Sequence, residues 1–505
     1  MSAAAEERPD HATLLARGIA WNTFYQVFQA LVSFAAMLVL VRIIPPGEYG
    51  RVGAVLGWLA LLNAFNCEHF MSQALQLPDG EEPDWSAHWS AALYIQLALE
   101  VAAQLLAGLC WLVPRYRPIA PLLHVAALML LIDAASRLGM TTLRRRLDFR
   151  RFRIIAGVST VASLTVTIAL GLAGAGAYAI VIGSNLVTAL PFGVDLLVVR
   201  RWRPRAGWWR WPDWQAYRPA LRFGLQQSLG SLLGALRGAL ATAVLPVTLG
   251  FVAIGLLGRA QALFQTTAGR ALGILSETVY PLLPRYAAQP GRYAEKATLF
   301  VQAVAWAAIL GAAFLGCEGA ALSRFLYGPR WAAAAPLFWP AAVAALGTVI
   351  AGATSAVLLA ANKLRVCFLL DVAGALLTGP LVVVTLLGGD MVTYAWALAA
   401  GALASGALGL LASAGHLEPR FWRAVLVPPA IAAAAGWSVA AAIDHACAHL
   451  APTAALVLAS GGFLVAAALA LRFLFAARLV DLLARLPASD RARRWLRLPA
   501  PLETT

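Results

Sequence analysis

The sequence has few charged residues: Asp, Glu, Lys and Arg make up 12% of its 505 residues, whereas 61% are hydrophobic. A soluble domain carries about 25% charged residues, so this composition excludes a water-soluble globule. Cysteines are also few, and the five are scattered without a CxxC pair, which excludes a disulfide framework or a zinc site. Walker A and GxSxG motifs are absent, and we expect no cofactor and no metal.

What the sequence has instead is a succession of long apolar runs. Runs of about 20 residues span a hydrocarbon core of about 30 Å, and such segments must be helices or a closed barrel because a bilayer offers no water to the backbone. The continuity of the runs favours helices, since barrel strands alternate between lumen and lipid. We predict an all-α integral membrane protein with about fourteen transmembrane helices, at 17–43, 51–76, 86–113, 118–143, 153–173, 175–199, 220–247, 251–283, 295–322, 331–361, 364–388, 391–415, 421–443 and 452–475.

The basic residues lie mainly between these runs and on one side of the predicted membrane. With a cytoplasmic N-terminus, 29 of the 39 fall in inner loops and tails and 6 in outer loops. This asymmetry predicts a bacterial inner-membrane protein with both termini cytoplasmic and an even number of helices. The net charge of +15 is therefore explained by the orientation of the chain in the membrane. We expect membrane lipids and no nucleic acid as partners. We predict no removable signal peptide, because no cleavage site follows the polar residues 1–16.

No predicted loop is long enough to fold as a domain. The longest, 200–219, is rich in Trp and Arg, which is typical of an interfacial anchor and also compatible with contact to an anionic lipid headgroup. The tail 476–505 is basic and amphipathic, and we expect it to lie on the inner membrane surface.

Polar and cationic residues inside the spans are the candidates for substrate contact, because such groups are costly in a bilayer. Helical spacing places Asn22, Gln26 and Gln29 on one face of the first span. This face either lines a transport cavity or forms hydrogen bonds between helices.

A second set of candidates contains the arginines of the seventh and eighth spans. Arg237 lies in the seventh, and Arg259, Thr266, Arg270 and Glu277 form one stripe of the eighth. Two guanidinium groups about 16 Å apart on one face can hold a diphosphate and then release it, because the planar fork of arginine binds phosphate oxygens and keeps its charge. The alternative is that each arginine forms a structural salt bridge with a carboxylate.

Charged residues elsewhere in the spans are candidates for coupling or charge balance. Asp133 and Arg137 have the i,i+4 spacing of an ion pair, which we favour over a site. Glu68, Glu100 and Glu277 are either proton or cation sites or partners of the arginines.

Three passages carry a resemblance to a known family. The first runs from Gly18-Ile19-Ala20-Trp21 to Pro45-Pro46-Gly47-Glu48-Tyr49-Gly50, the second is Leu143 to Arg150 followed by the turn Gly174 to Tyr178, and the third comprises Gly255 to Ala260 and Pro281 to Arg285. In order and spacing they resemble the polysaccharide flippases of the multidrug/oligosaccharidyl-lipid/polysaccharide exporter superfamily.

The resemblance implies two six-helix lobes that form a V-shaped central cavity, here 17–199 and 220–415, with two additional helices in 420–475. It implies alternating-access transport of an undecaprenyl-linked oligosaccharide from the cytoplasmic to the periplasmic leaflet, with polysaccharide polymerase or export machinery as partners. Arg237, Arg259 and Arg270 are the positions that would then meet the diphosphate.

Two other functions are compatible with a polytopic chain. One is a cation-coupled multidrug exporter of the same superfamily. The other is a membrane glycosyltransferase, polymerase or ligase, which we disfavour because such enzymes need a sizeable outer loop to hold the glycan and the catalytic groups. We therefore predict a transporter and no catalytic residues.

Overall fold

The computed structural model describes residues 11–78, 81–205, 207–265, 269, 283–284, 286–287, 289–386, 388–447 and 449–476. Side chains of 11–24, 233, 237, 239–244, 380–382 and 384–386 lie outside this description. The described chain is almost entirely helical: α1 His11–Ile43, α2 Pro46–Asn63, α3 Cys67–Met71, α4 Trp85–Leu112, α5 Arg117–Arg145, α6 Phe149–Leu172, α7 Ala177–Val199, α8 Arg218–Thr248, α9 Gly250–Phe264, α10 Pro290–Tyr327, α11 Pro329–Ala360, α12 Leu364–Leu386, α13 Met391–His416, α14 Phe421–Ala446 and α15 Pro452–Leu474.

Within the described residues, ten helical stretches are long and apolar enough to cross a membrane, namely the part of α1 from Tyr25 together with α4–α7, α10, α11 and α13–α15. The chain is thus a multi-pass membrane protein, and the predicted all-helical fold is confirmed. Helices α2, α8, α9 and α12 occupy the positions of the other four predicted spans. The total of fourteen stays a prediction, because part of the eighth span lies outside the described residues.

The continuous second span predicted over 51–76 is wrong. Helix α2 ends at Asn63, and the short α3 begins at Cys67 after a non-helical Asn66. The Asn66 side chain accepts a hydrogen bond from the backbone N–H of Glu68 (3.0 Å), which makes it the N-cap of α3. An asparagine that caps a new helix interrupts the old one, because it satisfies the exposed backbone donors at the break.

The chain divides within α9 into two compact units, one up to Gly255 and one from Leu256. In the first unit, the start of α2 joins two of the passages that suggested the family. The Glu48 carboxylate accepts a hydrogen bond from the backbone N–H of Ala177 (3.1 Å), in the first turn of α7. A carboxylate at this position satisfies a free donor and complements the helix dipole. The preceding Gly174 and Gly176 have positive φ (82° and 55°), which glycine adopts without strain.

Glycines let α2 and α9 approach closely in the same unit. A Cβ on Gly50 would overlap the backbone carbonyl of Phe251, and a Cβ on Gly255 would overlap that of Pro46. Small residues allow this kind of backbone contact between membrane helices. The glycine of the Glu48-Tyr49-Gly50 passage therefore has a packing role.

The second unit is also built on small residues and buried aromatics. A Cβ on Gly347 of α11 would overlap the backbone of Ala402 in α13. Helices α14 and α15 pack on α10 around the buried Trp306 and Phe463, and the Trp306 indole donates to the carbonyl of Ala424 (2.9 Å). The donor of a buried tryptophan is thus satisfied inside the apolar core.

Candidate functional site

A charged cluster lies at the break between α2 and α3, where both helices face α5. We call Asn66, Glu68, Asp133, Arg137 and Arg144 the acid–arginine cluster. Asn66 donates to Asp133 (2.8 Å), and the Arg137 Nε lies 3.4 Å from the other Asp133 oxygen. The deepest carboxylate of the cluster therefore has both a neutral and a cationic partner, as a buried charge requires.

Glu68 joins this pair to a second arginine. Its Oε2 accepts from Arg137, and its Oε1 accepts from Arg144 at 3.1 Å. The side chains grade from buried to exposed: Asp133 is 2% exposed, Arg137 28%, Glu68 31% and Arg144 41%. Because the outer members are partly open, an incoming anion can compete with Glu68 for the two guanidinium groups without disturbing Asp133.

A polar path continues from the cluster to α8. His69 follows Glu68, and its ring nitrogens lie 3.4 Å from Gln227 Oε1 and 3.3 Å from Ser231 Oγ. The Asp133–Arg137 spacing was interpreted as an isolated ion pair, and the structure adds Glu68, Arg144 and Asn66 to it. Arg144 and His69 were not predicted as members of this region, and the signal for it in the sequence was the pair Asn63 and Asn66 inside an apolar run.

Glu100 lies apart from the cluster, in a polar row on α4. Gln104 donates to Glu100 Oε1 (2.6 Å) and contacts the His124 ring through its own carbonyl oxygen. One turn before, Gln96 is 0% exposed. Neither polar atom of Gln96 nor Glu100 Oε2 has a hydrogen-bond partner among the described residues. The row therefore combines the buried carboxyl group of Glu100 with polar atoms that lack hydrogen-bond partners among the described residues.

The polar stripe predicted on α1 is described in part. Gln26 and Gln29 are half-buried, whereas the side chain of Asn22 lies outside the described residues. The neighbouring Tyr25 hydroxyl lies 3.3 Å from Thr160 Oγ1, so α1 and α6 are joined by a polar contact. That Gln26 and Gln29 line a transport cavity stays a prediction.

The arginine stripe is described only at its first member. Arg259 lies half-buried in α9. Arg237 belongs to α8, but its side chain is outside the description, and Thr266, Arg270 and Glu277 lie outside the described residues. The proposed diphosphate contacts of these arginines therefore stay predictions.

Comparison with known proteins connects the chain to one family in sequence. The family profile described as "Polysaccharide biosynthesis protein" matches residues 39–336. This range includes the acid–arginine cluster, the polar row of α4 and Arg259. No individual protein of curated function matches the chain in sequence.

Solved structures of similar fold are transporters. "Lipid II flippase MurJ, inward closed conformation" has a TM-score of 0.70 and 13% identity, covering 90% of this chain and 99% of that chain. An inward-facing multidrug resistance MATE family transporter of the MOP superfamily has a TM-score of 0.59 and 15% identity, covering 76% and 94%. An outward-facing one has a TM-score of 0.52 and 16% identity, covering 81% and 98%. At these identities the likeness concerns the fold.

Proposed function

The chain belongs to the polysaccharide biosynthesis protein family, and from that premise we propose that it flips a lipid-linked oligosaccharide across the bacterial inner membrane. The carrier is undecaprenyl phosphate or diphosphate, and the direction is from the cytoplasmic to the periplasmic leaflet by alternating access. Both termini are cytoplasmic, and the glycan then passes to polymerase or export machinery. The protein acts as a transporter and not as an enzyme.

The observation that carries this proposal is the acid–arginine cluster. Charges within membrane helices are costly and mark substrate paths. Here Arg137 and Arg144 share one carboxylate, Glu68, that is itself partly exposed. A phosphate oxygen can replace the Glu68 oxygen on either guanidinium, because arginine binds carboxylate and phosphate with the same geometry.

The arginines of α8 and α9 are further substrate contacts in our proposal. Arg237, Arg259 and Arg270 would hold the diphosphate, and Gln26, Gln29, Asn22 and Thr266 would bind the sugars through hydrogen bonds. Glu277 would balance charge near Arg270. Support for these roles comes from the helical spacing of the residues and from the family.

Two variants of neighbouring arginines test the role of the cluster. Arg144→Gln removes a guanidinium that contacts Glu68, whereas Arg146→Gln removes an exposed one two residues away. We expect Arg144→Gln to reduce surface polysaccharide strongly while the amount of membrane-inserted protein stays unchanged, and Arg146→Gln to leave polysaccharide at the wild-type level. Arg259→Ala and Arg270→Ala should behave like Arg144→Gln. Normal amounts of surface polysaccharide from Arg144→Gln, Arg259→Ala and Arg270→Ala would refute the proposed role of these arginines.

A second candidate function is cation-coupled export of drugs. The specific observation that favours it is Glu100, a buried carboxyl group that makes no ion pair with any lysine or arginine of the described chain. Such a group binds a proton or a cation in coupled transporters. This function predicts that deletion of the gene raises drug sensitivity and leaves surface polysaccharide unchanged, the opposite of the result expected for a flippase.

A further inference from the structure

A cavity of about 500 Å³ lies in the first unit between the loop before α8 and the start of α4. We call it the loop cavity, and its polar lining includes Asp84, His88, Arg205, Arg210, Asp213 and Tyr217. Its volume is in the range of small-molecule sites, about 300–1,000 Å³. Neither the proposed flipping path nor the arginine stripe uses these residues.

The loop that forms the cavity is held firmly against α4. The indole of Trp89 donates to the carbonyl of Trp208 (3.0 Å), and the Tyr94 hydroxyl donates to that of Trp209 (2.9 Å). The backbone N–H of Arg205 donates to Ser86 Oγ at 2.9 Å. A binding site whose walls are already fixed loses little entropy when a ligand enters.

The lining of the cavity includes a buried polar pair, His88 and Tyr217. His88 Nδ1 lies 2.5 Å from the Tyr217 hydroxyl, and both side chains are buried. Burial raises the pKa of Tyr217, so this phenol stays protonated. The pair therefore holds a fixed hydrogen bond and contributes no negative charge to the site.

The lining contains two guanidinium groups, those of Arg205 and Arg210. Neither the Arg205 nor the Arg210 side chain makes an ion pair or a hydrogen bond within the part of the chain that the structure describes. By contrast, the nearby Arg200 lies 2.8 Å from Asp195. Residues 200–222 contain seven arginines and one acidic residue, Asp213, so the loop itself is strongly basic, whereas the lining of the cavity places Arg205 and Arg210 beside Asp84 and Asp213.

The two carboxylates of the lining each have one oxygen in use. Asp84 Oδ1 accepts from the backbone N–H groups of Ser86 and Ala87, and Asp213 Oδ1 accepts from those of Gln215 and Ala216. The second oxygen of each accepts no hydrogen bond from a described residue and can accept one from a hydroxyl group. Cations beside free carboxylate acceptors suit a phosphate that carries a polyol.

Two exposed tryptophans belong to the loop that forms the cavity. Trp209 is 74% exposed and Trp211, which lines the cavity, is 64% exposed. Tryptophans with arginines at the ends of membrane helices are typical of the bilayer interface. A headgroup is thus the source of phosphate that this position favours.

We propose that the loop cavity binds the phosphoglycerol headgroup of an anionic lipid, with the phosphate on Arg205 and Arg210 and the hydroxyls on Asp84 and Asp213. This site is separate from the transported substrate and does not depend on the flipping activity. It gives the Trp- and Arg-rich loop a specific lipid ligand in addition to general anchoring.

Binding of short-chain lipids to the purified full chain in detergent tests the proposal, with native mass spectrometry as the readout. The probes are dioctanoyl phosphatidylglycerol, dioctanoyl phosphatidylcholine and glycerol 3-phosphate. Arg205→Gln/Arg210→Gln should weaken phosphatidylglycerol binding about tenfold or more, since each charge-assisted hydrogen bond contributes on the order of one decade in affinity. The charge-matched control Arg201→Gln/Arg222→Gln, outside the cavity, should retain the wild-type affinity.

Arg205→Lys/Arg210→Lys keeps the charge without the planar fork and should bind with intermediate affinity. This variant also serves if the glutamine pair fails to fold. Equal binding of phosphatidylcholine, or equal weakening by the control pair, would overturn the proposal. Glycerol 3-phosphate binding as tightly as the lipid would overturn the lipid assignment and indicate a soluble phosphate ligand.

Discussion

Removal of Arg137 should destabilise the first unit through Asp133. The Asp133 side chain is 2% exposed, and in Arg137→Gln its only remaining described partner is Asn66. Loss of one member of a buried ion pair costs about 3–5 kcal/mol, because the other charge stays buried without compensation. Glu68 contributes little to this cost, since it is partly exposed and keeps Arg144 at 3.1 Å.

A double variant separates the charge effect from the loss of packing. In Asp133→Asn/Arg137→Gln both charges are gone, so we expect about 1–3 kcal/mol of the lost stability to return. The control Arg330→Gln removes an exposed arginine and should change stability by less than about 0.5 kcal/mol.

Thermal unfolding of the detergent-solubilised protein measures this order, for example with a thiol-reactive dye that reports exposure of the buried Cys67. The expected sequence of midpoints is wild type and Arg330→Gln highest, the double variant next and Arg137→Gln lowest. If the unfolding midpoint of Arg137→Gln equals that of Arg330→Gln, or if the double variant is no more stable than Arg137→Gln, the cluster does not stabilise the buried charge of Asp133.

Three further predictions concern packing and topology. Gly50→Ala should destabilise the protein by about 1–3 kcal/mol, because the added Cβ overlaps the backbone of α9. In the same unfolding assay, the control Gly157→Ala should be neutral or stabilising, because a Cβ at that position meets open space. Glu48→Ala should cost about 1 kcal/mol by removing the cap of α7, and a Glu48→Gln variant that is equally unstable would show that the charge, and not only the acceptor, matters. In a cysteine-free background, Arg210→Cys should react with an impermeant maleimide only from the cytoplasmic side and Arg115→Cys only from the periplasmic side; the reverse pattern would invert the topology.

The spans were predictable because hydropathy is a local property. Apolar runs of sufficient length lie where α4 to α7, α10, α11 and α13 to α15 are found, and the family resemblance based on three short passages is confirmed. The structural roles of residues in these passages were not predictable. Glu48 caps α7 and Gly50 contacts Phe251, and both contacts join segments that are far apart in the sequence. Spacing along one helix carries no information about contacts of this kind.

The acid–arginine cluster was likewise predictable only in part from the sequence. The i,i+4 spacing of Asp133 and Arg137 was visible in the sequence, whereas Glu68 is separated from Arg144 by 76 residues. The break at Asn66, which turns Glu68 toward α5, depends on a side-chain cap and on the Asp133 partner. An asparagine inside an apolar run has several structural explanations, so hydropathy alone predicted a continuous helix there.

The most direct test of the account is the leaflet in which the lipid-linked oligosaccharide resides. Inverted and right-side-out vesicles from cells with and without the gene can be probed with a glycan-binding lectin or a membrane-impermeant oxidant. We predict that the lipid-linked glycan of the deletion strain accumulates in the cytoplasmic leaflet and that the wild-type gene, but not Arg144→Gln, restores its periplasmic exposure. An unchanged distribution between the leaflets after deletion would contradict the proposed function.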